Sequence, residues 1–180
     1  MPELERPAFS EEEAVFLLEE NYGLCCTLEE LPGERDRNYL AKEHNGESYV
    51  LKISNSCETL EFLQVQNDGL ERSAMLLKNG RIPKVFPAKN GEPLSSIMSE
   101  DGSHHWMRLV YYVDGMPMAE YSPHTRDFLL ELGSMCGTVT KALHEIPASP
   151  PSRKLLWEMH NVQETLEEYM PWIKDEKLLG

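Results

Sequence analysis

The chain has 180 residues, of which 41% are hydrophobic, and its 31 acidic and 17 basic residues give a formal net charge of −14. This composition predicts a globular protein of one domain, or of one domain and part of another. The negative charge argues against binding to nucleic acids or anionic membranes, which needs clustered Lys and Arg. No apolar run has membrane-spanning length, and the N-terminus lacks the features of a signal peptide, so we expect a cytoplasmic protein.

The N-terminal part of the chain predicts one helix and one strand. Ser10 and Glu13 are spaced as a capping box, in which the serine side chain accepts from the backbone of residue 13 and the glutamate reaches back. An apolar stripe follows, and Gly23 is a typical helix stop. A short strand is predicted from about residue 25 to residue 31.

A predicted hairpin follows the polar loop L-P-G-E-R-D-R-N at 31–38. Its strands cover 39–43 and 48–53, and the Asn45-Gly46 dipeptide between them favours a tight turn. In the second strand, S-Y-V-L-K-I, Lys52 is a lone cation among residues of high strand propensity. A lysine in a strand usually lies on a solvated face, so Lys52 is either a surface residue of this kind or a residue with a functional role.

The next predicted helix runs from a cap at Asn55-Ser56 to about residue 78. Residues at three- and four-residue spacing share one of its faces: Leu60, Leu63, Asn67, Leu70, Ala74 and Leu77. The polar residue of this stripe, Asn67, or Glu71 one turn later, could hold the flexible Lys52 side chain in one direction. The helix therefore offers Lys52 a candidate partner.

The second half of the chain predicts another hairpin and further helices. After a short extended piece at 81–86, strands are predicted at 94–99 and 106–113. Ser122-Pro123 predicts the start of a long amphipathic helix. A linker at 147–152 separates it from a polar, helical C-terminal segment. Five antiparallel strands with one helix between the third and the fourth indicate an α+β fold.

The cysteines and histidines predict no metal site. The four cysteines form no C-x-x-C pattern and are expected to be free thiols: Cys25, Cys26, Cys57 and Cys136. No histidine lies at ligand spacing from them. Adjacent histidines at a predicted turn are usually solvated, so we assign no metal to His104-His105.

A series of short motifs runs in order along almost the whole chain. The motifs are P-A-F-S-E-E-E-A at 7–14, Y-G-L at 22–24, L-P-G-E-R-D-R-N-Y at 31–39, Y-V-L-K-I-S-N at 49–55, V-Q-N at 65–67, M-R-L-V-Y-Y-V-D-G-M-P-M-A-E at 107–120, L-G at 132–133, A-L-H at 142–144 and W-E-M-H-N-V at 157–162. In this series the chain resembles the aminoglycoside phosphotransferase and choline kinase-like family, and within it the hydroxylysine kinase branch. The resemblance implies a protein-kinase-like, nucleotide-binding N-terminal lobe over 1–113 and the first helices of an incomplete helical lobe over 114–180.

The resemblance also implies a set of nucleotide-binding residues: Gly33, Arg35, Asn38, Lys52, Gln66, Asn67, Tyr111 and Val113. The first three lie in the loop that covers the ATP phosphates in such kinases. The lysine binds the α- and β-phosphates. The two amides stand where the family usually has a glutamate, which implies an amide partner for the lysine in place of an ion pair. The last two residues supply the Tyr111 carbonyl and the Val113 N–H of the adenine hinge.

The motifs that the family uses for chemistry do not occur in the sequence. Phosphoryl transfer requires an aspartate that orients the acceptor hydroxyl and groups that hold Mg²⁺. The family places them in H-G-D-x-x-x-x-N and a later D-x-D segment. None of the six histidines precedes such a motif, and His160-Asn161-Val162 lacks the aspartate. We therefore expect no catalytic or metal-binding residue here, Mg²⁺ ligands outside this chain, and a fragment of a longer kinase.

Two functions compete on these observations. The first is a fragment of a kinase that uses ATP or GTP with Mg²⁺ to phosphorylate a hydroxyl of an amine-bearing metabolite. The second is a non-catalytic acidic α/β binding or chaperone-like interaction module. In that case the polar loop is merely rich in turn formers, and the hinge is a plain edge strand. Because an incomplete helical lobe leaves apolar faces uncovered at 125–146 and 155–173, we also expect self-association through these helices.

Overall fold

The structure, a computed structural model, describes residues 6–77, 82–146 and 159–174. The predicted linker at 147–152 lies outside the described residues. The chain divides into two compact units, Met1–Ser149 and Pro150–Gly180, and each is described by itself. No helix in the described part of the chain combines the length and the hydropathy of a membrane-spanning segment.

The elements confirm the α+β prediction. The first unit contains α1 (Glu11–Tyr22), β1 (Cys26–Leu31), β2 (Arg37–Glu43), β3 (Ser48–Ile53), α2 (Leu60–Leu76), β4 (Val85–Phe86), β5 (Ser95–Met98), β6 (His104–Tyr111) and α3 (Arg126–His144). In the second unit, α4 (Val162–Tyr169) lies between the 3₁₀ turns Met159–Asn161 and Met170–Trp172. The strands form one antiparallel sheet in the order β1-β2-β3-β6-β4, with β5 also paired to β6. In the described residues the sheet has six strands rather than the five predicted, because Val85–Phe86 pairs with β6.

Local signals place α1 where the sequence predicts it. The Glu13 N–H donates to Ser10 Oγ at 3.1 Å, and the Ser10 N–H donates to Glu13 Oε2 at 2.6 Å, which completes the capping box. Gly23 ends the helix with a φ of 74°, a left-handed conformation that glycine adopts without a Cβ penalty. The buried side of α1 packs on one face of the sheet, where it forms the core with Tyr49, Leu51 and other strand residues.

The second face of the sheet carries polar side chains. Because successive strand residues point to opposite faces, Lys52 points away from its buried neighbours Leu51 and Ile53. Residues that pair directly in antiparallel strands share a face. The pairs Asn38↔Lys52 and Lys52↔Arg108 therefore set three polar side chains side by side across β2, β3 and β6. This Asn38–Lys52–Arg108 row lies on the face that contacts α2.

The helix α2 starts later than predicted. Its N-cap is Thr59, whose hydroxyl accepts from the Phe62 N–H, and not Asn55-Ser56. Asn55 is used elsewhere: its side chain accepts from the Cys57 N–H at 2.8 Å, and its own N–H donates to Asp36 Oδ1 at 3.1 Å. The residue that resembles a cap therefore ties the end of β3 to the loop between β1 and β2.

The helix α3 packs on α2 at a glycine. A Cβ placed on Gly69 would lie 3.0 Å from Leu143 Cδ2, so the missing side chain permits the close approach. The predicted cap Ser122 lies outside α3, which begins after Thr125. Large apolar side chains on α3 are exposed, among them Leu129 and Leu130 at 50% and 59%. Self-association through these helices stays a prediction.

Candidate functional site

Lys52 occupies the centre of the polar row. Its Nζ donates to Asn38 Oδ1 at 2.6 Å, so a neighbouring strand holds the flexible side chain in one direction. Burial lowers the pKa of the half-buried Lys52, while the charge of Asp36 opposes this shift and that of Arg108 adds to it. The result is a directed cation on a rigid strand, which is the arrangement that a phosphate-binding lysine requires.

The loop between β1 and β2 folds tightly onto Asn38. A Cβ on Gly33 would lie 2.3 Å from the Asp36 carbonyl oxygen and 2.7 Å from Asn38 Nδ2, far inside van der Waals contact. Only glycine fits this position without displacing its neighbours. The structure therefore brings together three of the predicted phosphate-site residues: Gly33, Asn38 and Lys52.

Arg35 fastens the same loop to the segment before α2. Its Nη1 lies 3.4 Å from Glu58 Oε1, and both side chains are largely buried. Burial raises the pKa of Glu58, and Arg35 opposes that rise. The structure thus shows Arg35 in an ion pair with a carboxylate, while its predicted contact with nucleotide stays a prediction. Asp36 fastens the loop at a second point by accepting from the Asn55 N–H.

The amides of Gln66 and Asn67 contact Arg108. Arg108 Nη1 donates to Asn67 Oδ1 and Nη2 donates to Gln66 Oε1, both at 2.6 Å. The sequence led us to expect Lys52 as their partner. The difference has a geometric reason: Arg108 lies directly opposite Lys52, and its planar fork reaches two acceptors at once.

Arg108 is the site residue that sequence reasoning missed. It is only 5% exposed. The available signal was the one that drew attention to Lys52, a lone cation inside an apolar strand, here W-M-R-L-V-Y-Y-V at 106–113. Its Nε and the Asn67 Nδ2 are buried donors without a hydrogen-bond partner among the described residues.

A cavity of about 460 Å³ lies beside this cluster, between α2, β4 and the turn before β5. Of the predicted nucleotide-binding residues, Asn67 lines it, and Glu71 and Lys84 supply charged groups to its wall. Within the described ranges, no group of three or more His, Cys, Asp or Glu residues is placed to hold a metal ion.

The predicted hinge lies at the end of β6. Tyr111 pairs with Tyr49, and its N–H donates to the Lys84 carbonyl at 2.9 Å. Val113 lies two residues beyond the strand and is 37% exposed. Tyr111 is three residues from Arg108 along an extended strand, a separation of about 10 Å. The strand β6 therefore connects the polar row, at Arg108, to the start of the hinge, at Tyr111.

Sequence comparison finds hydroxylysine kinases. The protein of Xenopus laevis is 29% identical over 191 aligned positions, which cover 96% of this chain and 50% of that protein. The protein of Bos taurus is 30% identical, with coverage of 93% and 48%. The chain spans about half the length of the curated relatives it matches. No family model matches the chain.

Two solved structures share the fold. An amicoumacin kinase in complex with AMP-PNP, Ca²⁺ and Ami has a TM-score of 0.68 at 16% identity, covering 89% of this chain and 48% of its own. A microcompartment-associated aminopropanol kinase has a TM-score of 0.58 at 16% identity, covering 84% and 46%. These similarities confirm the predicted kinase-like fold and do not favour the interaction module. In sequence the chain is thus similar to hydroxylysine kinases, and in fold it is similar to two other kinases; it spans about half of each of these proteins.

Proposed function

We propose that the chain is the nucleotide-binding part of a small-molecule kinase that uses ATP or GTP together with a divalent cation such as Mg²⁺. The proposal rests on the half-buried Lys52, whose Nζ lies 2.6 Å from Asn38 Oδ1. Beside it lies the loop between β1 and β2, whose close packing on Asn38 requires glycine at position 33. An exposed strand lysine such as Lys42 pairs with a surface carboxylate instead. The AMP-PNP and Ca²⁺ in the amicoumacin kinase support the nucleotide and the divalent cation.

The chemistry that this part supports is charge stabilisation. In phosphoryl transfer, the acceptor oxygen bonds to the γ-phosphorus while the bond from that phosphorus to the bridging oxygen breaks, and negative charge accumulates on the phosphate oxygens. An ammonium has three N–H groups, so Lys52 would bind the α- and β-phosphates while one N–H still donates to Asn38 Oδ1. The resemblance assigns the base and the Mg²⁺ ligands to motifs that this sequence does not contain.

The acceptor that we propose is a hydroxyl on an amine-bearing metabolite. The names of the relatives, hydroxylysine kinase and aminopropanol kinase, support an acceptor that carries both groups. The net charge of −14 also favours a cationic metabolite over an anionic one.

Calorimetric titration with ADP and Mg²⁺ tests the proposal on the chain and two variants. Lys52→Met removes the phosphate-binding charge and keeps the length of the side chain, so we expect affinity to fall at least about tenfold. Lys42→Met is the matched control: Lys42 also lies on a strand, but it is 53% exposed and pairs with Glu29 at the surface. The control should bind as the parent chain does. Equal affinity of all three proteins would contradict the proposal.

A further inference from the structure

Arg108 presents a problem of charge. A guanidinium stays protonated in proteins, so its burial has to be compensated. Within the described residues, both hydrogen-bond partners of Arg108 are neutral amides, and it forms no ion pair with a carboxylate. Lys52, its direct neighbour across the sheet, is a second cation. Like charges directly opposite each other destabilise a sheet.

The charged groups of the cluster that contains Lys52 and Arg108 leave an excess of positive charge. The loop before β2 contributes Arg35 and Asp36, the segment before α2 contributes Glu58, and β6 contributes Arg108. Lys52, Arg35 and Arg108 are three cations against the two anions Asp36 and Glu58, a local sum of +1 in a chain whose net charge is −14. The helix α2 contributes the neutral Gln66 and Asn67, which accept hydrogen bonds from Arg108, and one turn later Glu71 lines the neighbouring cavity.

We propose that Arg108 is a positioning residue of the nucleotide phosphate site, which anchors α2 through neutral amides and leaves Lys52 without an ion pair to any carboxylate in the described part of the chain. The inference rests on the proposed function. In the kinase family that the chain resembles, a glutamate at this position of the helix pairs with the lysine and so links the helix to the sheet. Here the amides of Gln66 and Asn67 make that link to Arg108, and the Lys52 ammonium is left to Asn38 and to an incoming phosphate.

The pH dependence of binding separates this role from simple packing. The charge of Arg108 lowers the pKa of Lys52, so Lys52 loses its proton, and with it the phosphate, at a lower pH than it otherwise would. Removing the positive charge raises the pKa of Lys52 and moves the loss of ADP binding to higher pH. A residue that only filled space would leave the position of that transition unchanged.

The experiment measures the affinity of the chain for ADP with Mg²⁺ and for adenosine across alkaline pH. For Arg108→Met we expect ADP affinity to fall about tenfold near neutral pH, adenosine affinity to stay within about twofold, and the alkaline transition to move upward. Arg108→Lys keeps the charge but not the planar fork that bonds both amides, so it should keep the alkaline transition at the parent position and recover only part of the ADP affinity. Circular dichroism reports whether each variant folds.

Gln66→Glu keeps the test decisive if Arg108→Met does not fold. This change retains the contact with Arg108 and supplies the missing carboxylate, so it should weaken ADP binding several-fold and move the transition upward. Unchanged ADP affinity and pH profile in Gln66→Glu, or parallel losses of ADP and adenosine in Arg108→Met, would overturn the inference and leave the proposed function standing. If the parent chain binds neither ligand, the proposed function fails and the inference fails with it.

Discussion

Replacing Gly33 by alanine tests how tightly the loop between β1 and β2 packs on the polar row. The new methyl group would lie 2.3 Å from the Asp36 carbonyl oxygen, whereas ordinary contact begins near 3.4 Å, so the backbone must retreat by about 1 Å. Asn38 Nδ2, at 2.7 Å, would have to move as well. Overpacking of this kind costs about 1–3 kcal/mol of unfolding free energy.

Urea denaturation followed by circular dichroism measures that cost. Gly115→Ala is the matched control, because nothing lies within 4 Å of a Cβ at that position and its φ is not positive. The control should change the unfolding free energy by less than about 0.5 kcal/mol. Because Asn38 holds Lys52, Gly33→Ala should also weaken ADP binding. A Gly33→Ala protein as stable as the Gly115→Ala protein would refute the close packing.

Two further predictions concern local structure away from the site. Ser10→Ala removes the N-cap of α1 and should lower the unfolding free energy by about 1 kcal/mol in urea denaturation, whereas Ser122→Ala, outside a helix, should be nearly neutral; equal effects would contradict the capping assignment. Hydrogen bonds from Ser99 and Ser103 lower the pKa of Asp101 to about 2, which carboxyl NMR titration can read directly. Because the folded pKa is depressed, this stabilisation is present above the ordinary pKa and is lost as pH falls toward 2; Asp101→Asn should flatten that part of the stability profile, and an Asp101 that titrates at its ordinary pKa would refute the assignment.

Local signals in the sequence sufficed for α1 and for β3, but they failed where a residue had a distant partner. The cap and stop of α1 act within one turn of the helix, so their sequence pattern is enough. Asn55 has the same cap-like character, yet its backbone bonds to Asp36, nineteen residues earlier, and the helix starts after Thr59 instead. Propensity says nothing about a contact of that kind.

The candidate site divides in the same way. Lys52 could be singled out from its own strand, because a cation among apolar strand residues is unusual. Its neighbour Arg108 has the same local signal, but the partnership depends on the pairing of β3 with β6, which lie more than fifty residues apart in the chain. The prediction that Gln66 or Asn67 contacts Lys52 did not consider Arg108 as a competing partner. Only the register shows that Arg108 is the group within reach of both amides.

The polar row and the hydrophobic core depend on the same register. In β3, Tyr49, Leu51 and Ile53 are buried under α1, while Lys52 lies on the opposite face. A shift of one residue in the pairing would turn Lys52 into the core and expose the three apolar side chains, so burial of the core selects the register that forms the row. The stability gained on one face therefore holds two adjacent cations on the other, and the repulsion between them is tolerated because the core opposes any slip of the strands.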